Sequence, residues 1–218
     1  MKKIKSLQVF YNEKKVGTLA LMKNNIVAFE YDNEWINNGF SISPFNLPLK
    51  KQVFIPRIDP FDGLYGVFSD SLPDGWGRLL VDRMLNSQNI NPRQISQIDR
   101  LAIVGETGMG ALSYKPEYNL LEEKDCQEDY DSLALSCKKI LNTEYSADLD
   151  NLFRLGGSSG GARPKILTKI DNEDWIIKFP SSLDDNNIGE LEYLYSVCAK
   201  KCKIDMPEIK LFPSKISS

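Results

Sequence analysis

The 218-residue sequence contains no histidine. That removes Ser-His-Asp and Cys-His triads, His-ligated metals and imidazole acid–base chemistry. Cysteine is scarce as well: Cys126, Cys137, Cys198 and Cys202, none in a C-x-x-C pair. A zinc site would have to gather thiolates from distant segments, so none is expected. Cys198 and Cys202 stand one helical turn apart and read as small apolar core residues. Long apolar runs are missing too. The start, Met1-Lys2-Lys3-Ile4-Lys5-Ser6, leads into none, so neither a signal peptide nor a transmembrane span is expected. A reducing, cytoplasmic setting fits. With 27 basic and 30 acidic residues, a net charge of −3 and a pI near 5.2, there is no bulk positive charge. Direct contact with nucleic acid or an anionic membrane is therefore not expected, a local basic patch aside.

What is present is an ordinary globular composition, 42% hydrophobic and 26% charged, long enough for one large or two small domains. Leu7–Tyr11, Val16–Leu21 and Ile26–Tyr31 are rich in β-formers, separated by polar breaks at Asn12–Lys15 and Lys23–Asn25. The spacing predicts an antiparallel meander. Prolines 48 and 56 imply extended chain before them. Asp74 is placed to cap a helix carrying Trp76, Leu79, Leu80, Met84 and Leu85. Pro92 can start a further helix toward Leu101. Gly105–Ala111 reads as a turn before Leu112-Ser113-Tyr114. Tyr130, Leu133, Ala134, Cys137, Ile140 and Leu141 recur at helical spacing after an acidic connector, Glu122 to Asp131. The expected class is α+β, in three parts. Residues 1–116 form an N-terminal antiparallel β subdomain with helices, 117–147 a helical connector, and 148–218 a smaller segment of strands plus helix.

The most informative stretch is Leu155-Gly156-Gly157-Ser158-Ser159-Gly160-Gly161-Ala162-Arg163-Pro164-Lys165. Its run of glycines and serines leaves the backbone nearly bare, so amide N–H groups can approach phosphate oxygens closely. Arg163 and Lys165 add positive charge. The Gly-Lys-Ser/Thr ending of a P-loop is missing. On composition alone, a flexible linker and a phosphate loop are equally served.

The next forty residues favour phosphate. Lys165–Ile170 reads as a strand, Asp171–Asp174 as a turn, and Trp175–Phe179 as the returning strand. Lys178 thus sits in an apolar strand, where a lysine must either snorkel to water or meet an anion. A helix capped by Asn186 or Asn187 comes after it, with Ile188, Leu191, Leu194, Tyr195 and Cys198 on its apolar face. Protein kinases orient the strand lysine with a glutamate from the next helix. Glu190 and Glu192 flank the stripe on opposite sides, and periodicity does not choose between them. Glycine-rich loop, strand, strand with lysine and helix with glutamate, in that order, make a kinase N-lobe pattern.

These residues resemble the HipA family of bacterial toxin kinases. The likeness runs through Val16-Gly17-Thr18-Leu19 and, more distinctively, Phe68-Ser69-Asp70-Ser71-Leu72-Pro73-Asp74-Gly75-Trp76-Gly77-Arg78 and Gly105-Glu106-Thr107-Gly108-Met109-Gly110-Ala111-Leu112. It continues through Ser158–Lys165 and Trp175–Pro180. The resemblance implies that residues 148–218 are a partial kinase-like N-lobe. It implies that Ser158 is an autophosphorylated serine, and that Ser159, Gly160, Gly161 and Ala162 surround the ATP phosphates with Lys165 and Lys178. It selects Glu190 as the helix glutamate. ATP and Mg2+ are the implied cofactors of a complete kinase. A HipB-like DNA-binding antitoxin is the implied partner, and an aminoacyl-tRNA synthetase a possible substrate class.

The expectation for transfer chemistry is different. Without histidine or an Asp-Phe-Gly-like triplet, and with Asp184 and Asp185 ahead of the helix, no catalytic aspartate or magnesium ligand is placed for transfer. The chain therefore reads as the N-terminal part of a serine/threonine kinase toxin lacking its catalytic C-lobe, inactive and without tight nucleotide binding on its own. The alternative is a non-catalytic interaction module that binds an antitoxin or a separate kinase chain. A weaker alternative, an unrelated two-domain protein with a glycine linker, predicts a disordered loop and a Lys178 pointing into solvent.

Overall fold

The computed structural model describes residues 3–118, 120, 129–181, 184–185 and 187–212. The chain forms two compact units: Met1–Glu123 with Gly157–Gly161, and Lys124–Gly156 with Ala162–Ser218. Cys126, most of the acidic connector, Asn186 and the last six residues lie outside the described residues.

The first unit is built on the expected meander. Strands β1 (Ser6–Tyr11), β2 (Lys14–Leu21) and β3 (Val27–Tyr31) pair antiparallel. The first break is shorter than the four polar residues suggest. Tyr11 pairs with Lys14, and only Asn12 and Glu13 turn, at φ 45° and 65°. Positive φ at both turn residues matches the right-handed twist of the flanking strands. After β3 comes α1 (Asn33–Asn38), capped by the Asp32 side chain on the Glu34 N–H, and then β4 (Val53–Phe54). Helix α2 (Gly66–Ser69) precedes the longer α3 (Gly75–Ser87). Pro92 starts a single 3-10 turn, Pro92–Gln94, rather than a helix. Helix α4 (Gln97–Val104) begins instead at Ser96, whose hydroxyl and Asp99 form a reciprocal capping box. Strand β5 (Leu112–Lys115) then pairs with β1, giving the sheet order β4-β3-β2-β1-β5.

Alternation places Leu7 and Val9 of β1 inward, with Val16, Leu19, Val27 and Phe29 from the neighbouring strands. Ile98, Leu101 and Ala102 of α4 and Phe68 of α2 belong to the same core. Asp99 is buried but satisfied: besides its cap bonds it accepts the Ile4 N–H at 3.0 Å. One carboxylate thus fixes both the start of α4 and the chain entering β1.

The second unit holds α5 (Tyr130–Leu141), α6 (Leu149–Gly156), the β6 (Lys165–Ile170)–β7 (Glu173–Lys178) hairpin and α7 (Ile188–Lys201). Helix α5 buries Leu133, Cys137 and Ile140, as its spacing predicts, and the Ser136 hydroxyl donates to Asp148 at 2.5 Å just before α6. The hairpin again turns on two residues with positive φ, Asp171 and Asn172.

The expected apolar face of α7 is a correction. Leu191 and Leu194 are nearly half exposed and Tyr195 is 69% exposed, while Ser196 is buried. Among the described residues the stripe is only partly covered, and the helix turns Glu192 toward the hairpin. Cys198 and Cys202 are exposed as well and are not core residues. No described helix is long and apolar enough to cross a membrane.

Candidate functional site

The Ser/Gly loop is held, not loose. Residues Gly157–Gly161 belong to the first unit although both flanks belong to the second. Ser159 is fully buried. The Ser158 hydroxyl donates to the Thr107 carbonyl at 2.7 Å. The Gly161 N–H donates to the Asp74 carboxylate, and the Gly161 carbonyl accepts the Trp76 N–H at 2.9 Å. At Gly77 a β-carbon would collide with the Ser159 carbonyl oxygen, so only glycine allows α3 to approach the loop this closely. Gly161 itself has φ +83°, a conformation glycine adopts without strain.

Two sequence motifs that spacing alone leaves without a role therefore receive the loop. The segment before and into α3 supplies Asp74, Trp76 and Gly77, and the Gly105–Ala111 turn supplies Thr107. The disordered loop that a glycine linker would predict is not what the structure holds. A cleft of about 690 Å³ opens beside the loop, lined by Asp70, Asp74, Val67, Met109, Ser158 and Gly160 among others.

In the second unit the hairpin places its lysines together. Lys165 and Lys178 are directly opposed across β6 and β7, so both side chains leave the same face. Two like charges in that register are unfavourable unless an anion lies between or beside them. Leu167 and Ile176, opposed in the next-but-one pair, share that face, and Ile176 is 47% exposed. The opposite face carries Ile166, which is fully buried. The open face of the hairpin thus combines two ammonium groups with an apolar floor.

The anion that meets Lys178 is Glu192, whose carboxylate lies 2.9 Å from Nζ. Glu190 is exposed in the first turn of α7 and does not take this place. The physical reason is angular. Two residues along a helix turn the side chain by about 200°, so only one of these glutamates can face the hairpin. Glu192 also accepts Arg163 Nη1 at 3.0 Å, and Arg163 Nη2 pairs with Asp184 at 2.9 Å. The Ser181 N–H holds the Asp184 carboxyl below its ordinary value of 3.8, with Arg163 adding to the effect. Arg163, Lys178, Glu192 and Asp184 form one network that ties the loop's exit to the hairpin and α7. Among the described residues no group of His, Cys, Asp and Glu is arranged to hold a metal ion.

The residues that sequence reasoning leaves without a site role are Asp74, Gly77 and Thr107. Asp74 is legible only as a helix cap. Its partner lies 87 residues away, beyond any local pattern.

Residues 7–115 match the family model described as the HipA N-terminal domain, and residues 157–217 match that of the HipA-like C-terminal domain. No curated protein matches the chain. A solved structure that it resembles is the HipA, HipB and operator DNA complex of the Shewanella oneidensis MR-1 toxin–antitoxin system. Identity is 19% and the TM-score 0.46, and the match covers 78% of this chain but only 37% of that one. Two family models thus account for the strand-rich first unit and for the loop, hairpin and α7, and on that ground the chain belongs to the HipA family.

Proposed function

We propose that these residues are the nucleotide-holding part of a HipA-type serine/threonine kinase toxin. The observation that supports this best is the open face of the β6–β7 hairpin. It opposes Lys165 to Lys178, and Lys178 is held by a helix glutamate at 2.9 Å. A lysine oriented by a glutamate on the following helix is what phosphate-gripping kinases use, since the pair keeps the ammonium extended until nucleotide oxygens arrive. In this reading Lys165 and Lys178 contact ATP phosphates, and Leu167 and Ile176 offer apolar surface to the base. Ser159, Gly160, Gly161 and Ala162 supply backbone donors. The role expected of Glu190 passes to Glu192. Magnesium, when bound with the nucleotide, neutralises phosphate charge. Among the described residues none is assigned to it. Ser158 is the proposed autophosphorylation site, and a HipB-like antitoxin the proposed partner.

The test is titration of the chain with Mg-ATP, followed by amide resonances and by phosphate release. Weak binding that perturbs Ile177 and Gly161 is expected, lost at least about tenfold in Lys178→Ala, without turnover. A Lys178→Ala chain that binds like the parent sinks the assignment.

A second reading, a non-catalytic module that binds an antitoxin or a separate kinase chain, is favoured by the half-exposed apolar stripe of α7. It predicts a stable complex with that partner and no response of the hairpin to nucleotide.

A further inference from the structure

We propose that Asp74 controls anion access to the Ser/Gly loop by exchanging partners with Gly161 at the N-terminus of α3. The inference rests on the reading of the loop as a phosphate holder. Asp74 stands at the position from which a side chain ordinarily accepts the N–H of the helix's second or third residue. Here it makes no such bond. The acceptor at the second residue is instead the Gly161 carbonyl, which takes the Trp76 N–H at 2.9 Å. In return, the Asp74 carboxylate takes the Gly161 N–H.

Each group stands in for something else. The carbonyl of a distant glycine replaces the helix cap, and the carboxylate occupies the donor that a phosphate oxygen would use. The same carboxylate also lies against Gly160, whose β-carbon, if it had one, would sit 3.1 Å from Oδ1. A phosphate approaching these two glycines meets a negative charge already in place.

The exchange is reversible by local motion. If Asp74 turns back onto the N–H of Trp76, it displaces the Gly161 carbonyl, caps its own helix and frees both backbone groups of Gly161, while the Ser158 bond to Thr107 stays. In either state the Trp76 N–H keeps an acceptor, the Gly161 carbonyl in one and the Asp74 carboxylate in the other. An anion that binds the freed Gly161 N–H shifts the balance toward the self-capped state by its differential affinity for it. Asp74 is therefore a positioning residue with two settings: loop held and closed to anions, or helix capped and loop open.

The experiment uses the full chain and inorganic phosphate as the probe, with Asp74→Ala and Asp74→Asn as variants. Asp74→Ala removes the side-chain anchor of the Gly161 N–H. Asp74→Asn removes the charge and keeps an acceptor. Neither removes an existing side-chain cap, so both are expected to fold, as an unchanged amide spectrum away from the loop would show. Without phosphate, the Gly161 amide should exchange faster in Asp74→Ala. With phosphate, both variants should half-saturate at concentrations about fivefold lower than the parent. Folded variants that bind phosphate no better than the parent overturn the proposal while leaving the phosphate reading intact. So does a Gly161 amide equally protected in Asp74→Ala. If neither parent nor variant binds phosphate, the phosphate reading itself fails, and the proposal falls with it.

Discussion

Lys178 takes its meaning from the carboxylate beside it. A strand lysine with a solvated head would be ordinary, but here Glu192 bridges it to Arg163, and Arg163 reaches on to Asp184. The lysine is legible in the sequence because an isolated cation in an apolar strand is conspicuous. Its glutamate is not, because Glu190 and Glu192 flank the apolar stripe symmetrically and only the placement of α7 against the hairpin separates them. The cysteines give a residue-scale test of burial. Burial pushes the Cys137 thiol up to about 12, whereas Cys198 and Cys202 lie open on the surface. The thiolate is the reactive form. With iodoacetamide on the native chain at pH 8, peptide mapping should find the exposed Cys198 and Cys202 modified. Cys137 should stay unmodified until the fold is lost. Rapid labelling of Cys137 under native conditions would contradict its placement in α5.

At the scale of elements, the two long helices differ in what their apolar residues do. Helix α3 buries Trp76, Leu80, Val81, Met84 and Leu85, while α7 leaves Leu191 and Leu194 about half exposed and Tyr195 more so. Both stripes look alike in sequence, since periodicity reports which residues share a face but not whether anything covers it. The meander, α3 and α5 are legible because their patterns are satisfied locally or by adjacent strands. Helix α1 is not, being short and poor in repeated apolar positions, and α6 repeats Leu149, Leu152 and Phe153 at helical spacing over only 8 residues. The contrast is measurable by denaturant unfolding. Leu80→Ala should cost about 2–5 kcal/mol, because it leaves a cavity in a filled core. Leu194→Lys should lie within about 0.5 kcal/mol of the parent. A large loss for Leu194→Lys would mean that the stripe is packed in solution.

For the molecule as a whole, charge sets a boundary on what the chain can bind unaided. With 30 acidic against 27 basic residues, its bulk charge does not favour a duplex, whose non-specific binding depends on neutralising phosphates with lysine and arginine. Fluorescence anisotropy with a short duplex in physiological salt should show no binding up to about 50 µM protein. Salt-dependent binding below that would reveal a basic surface that net charge conceals. In the proposed reading, any DNA contact belongs to a partner.

The five residues Gly157–Gly161 carry a consequence for how this molecule can be divided. The first unit is discontinuous: most of it is one stretch of chain, but its last piece is inserted from far downstream. A cut in the acidic connector would therefore not separate two independent modules. The upstream fragment would keep the helix and lose the carbonyl at its first turn. The downstream fragment would carry a bare glycine tongue with nothing to receive it. Gene fission at that point would part the five-residue graft from the unit that receives it.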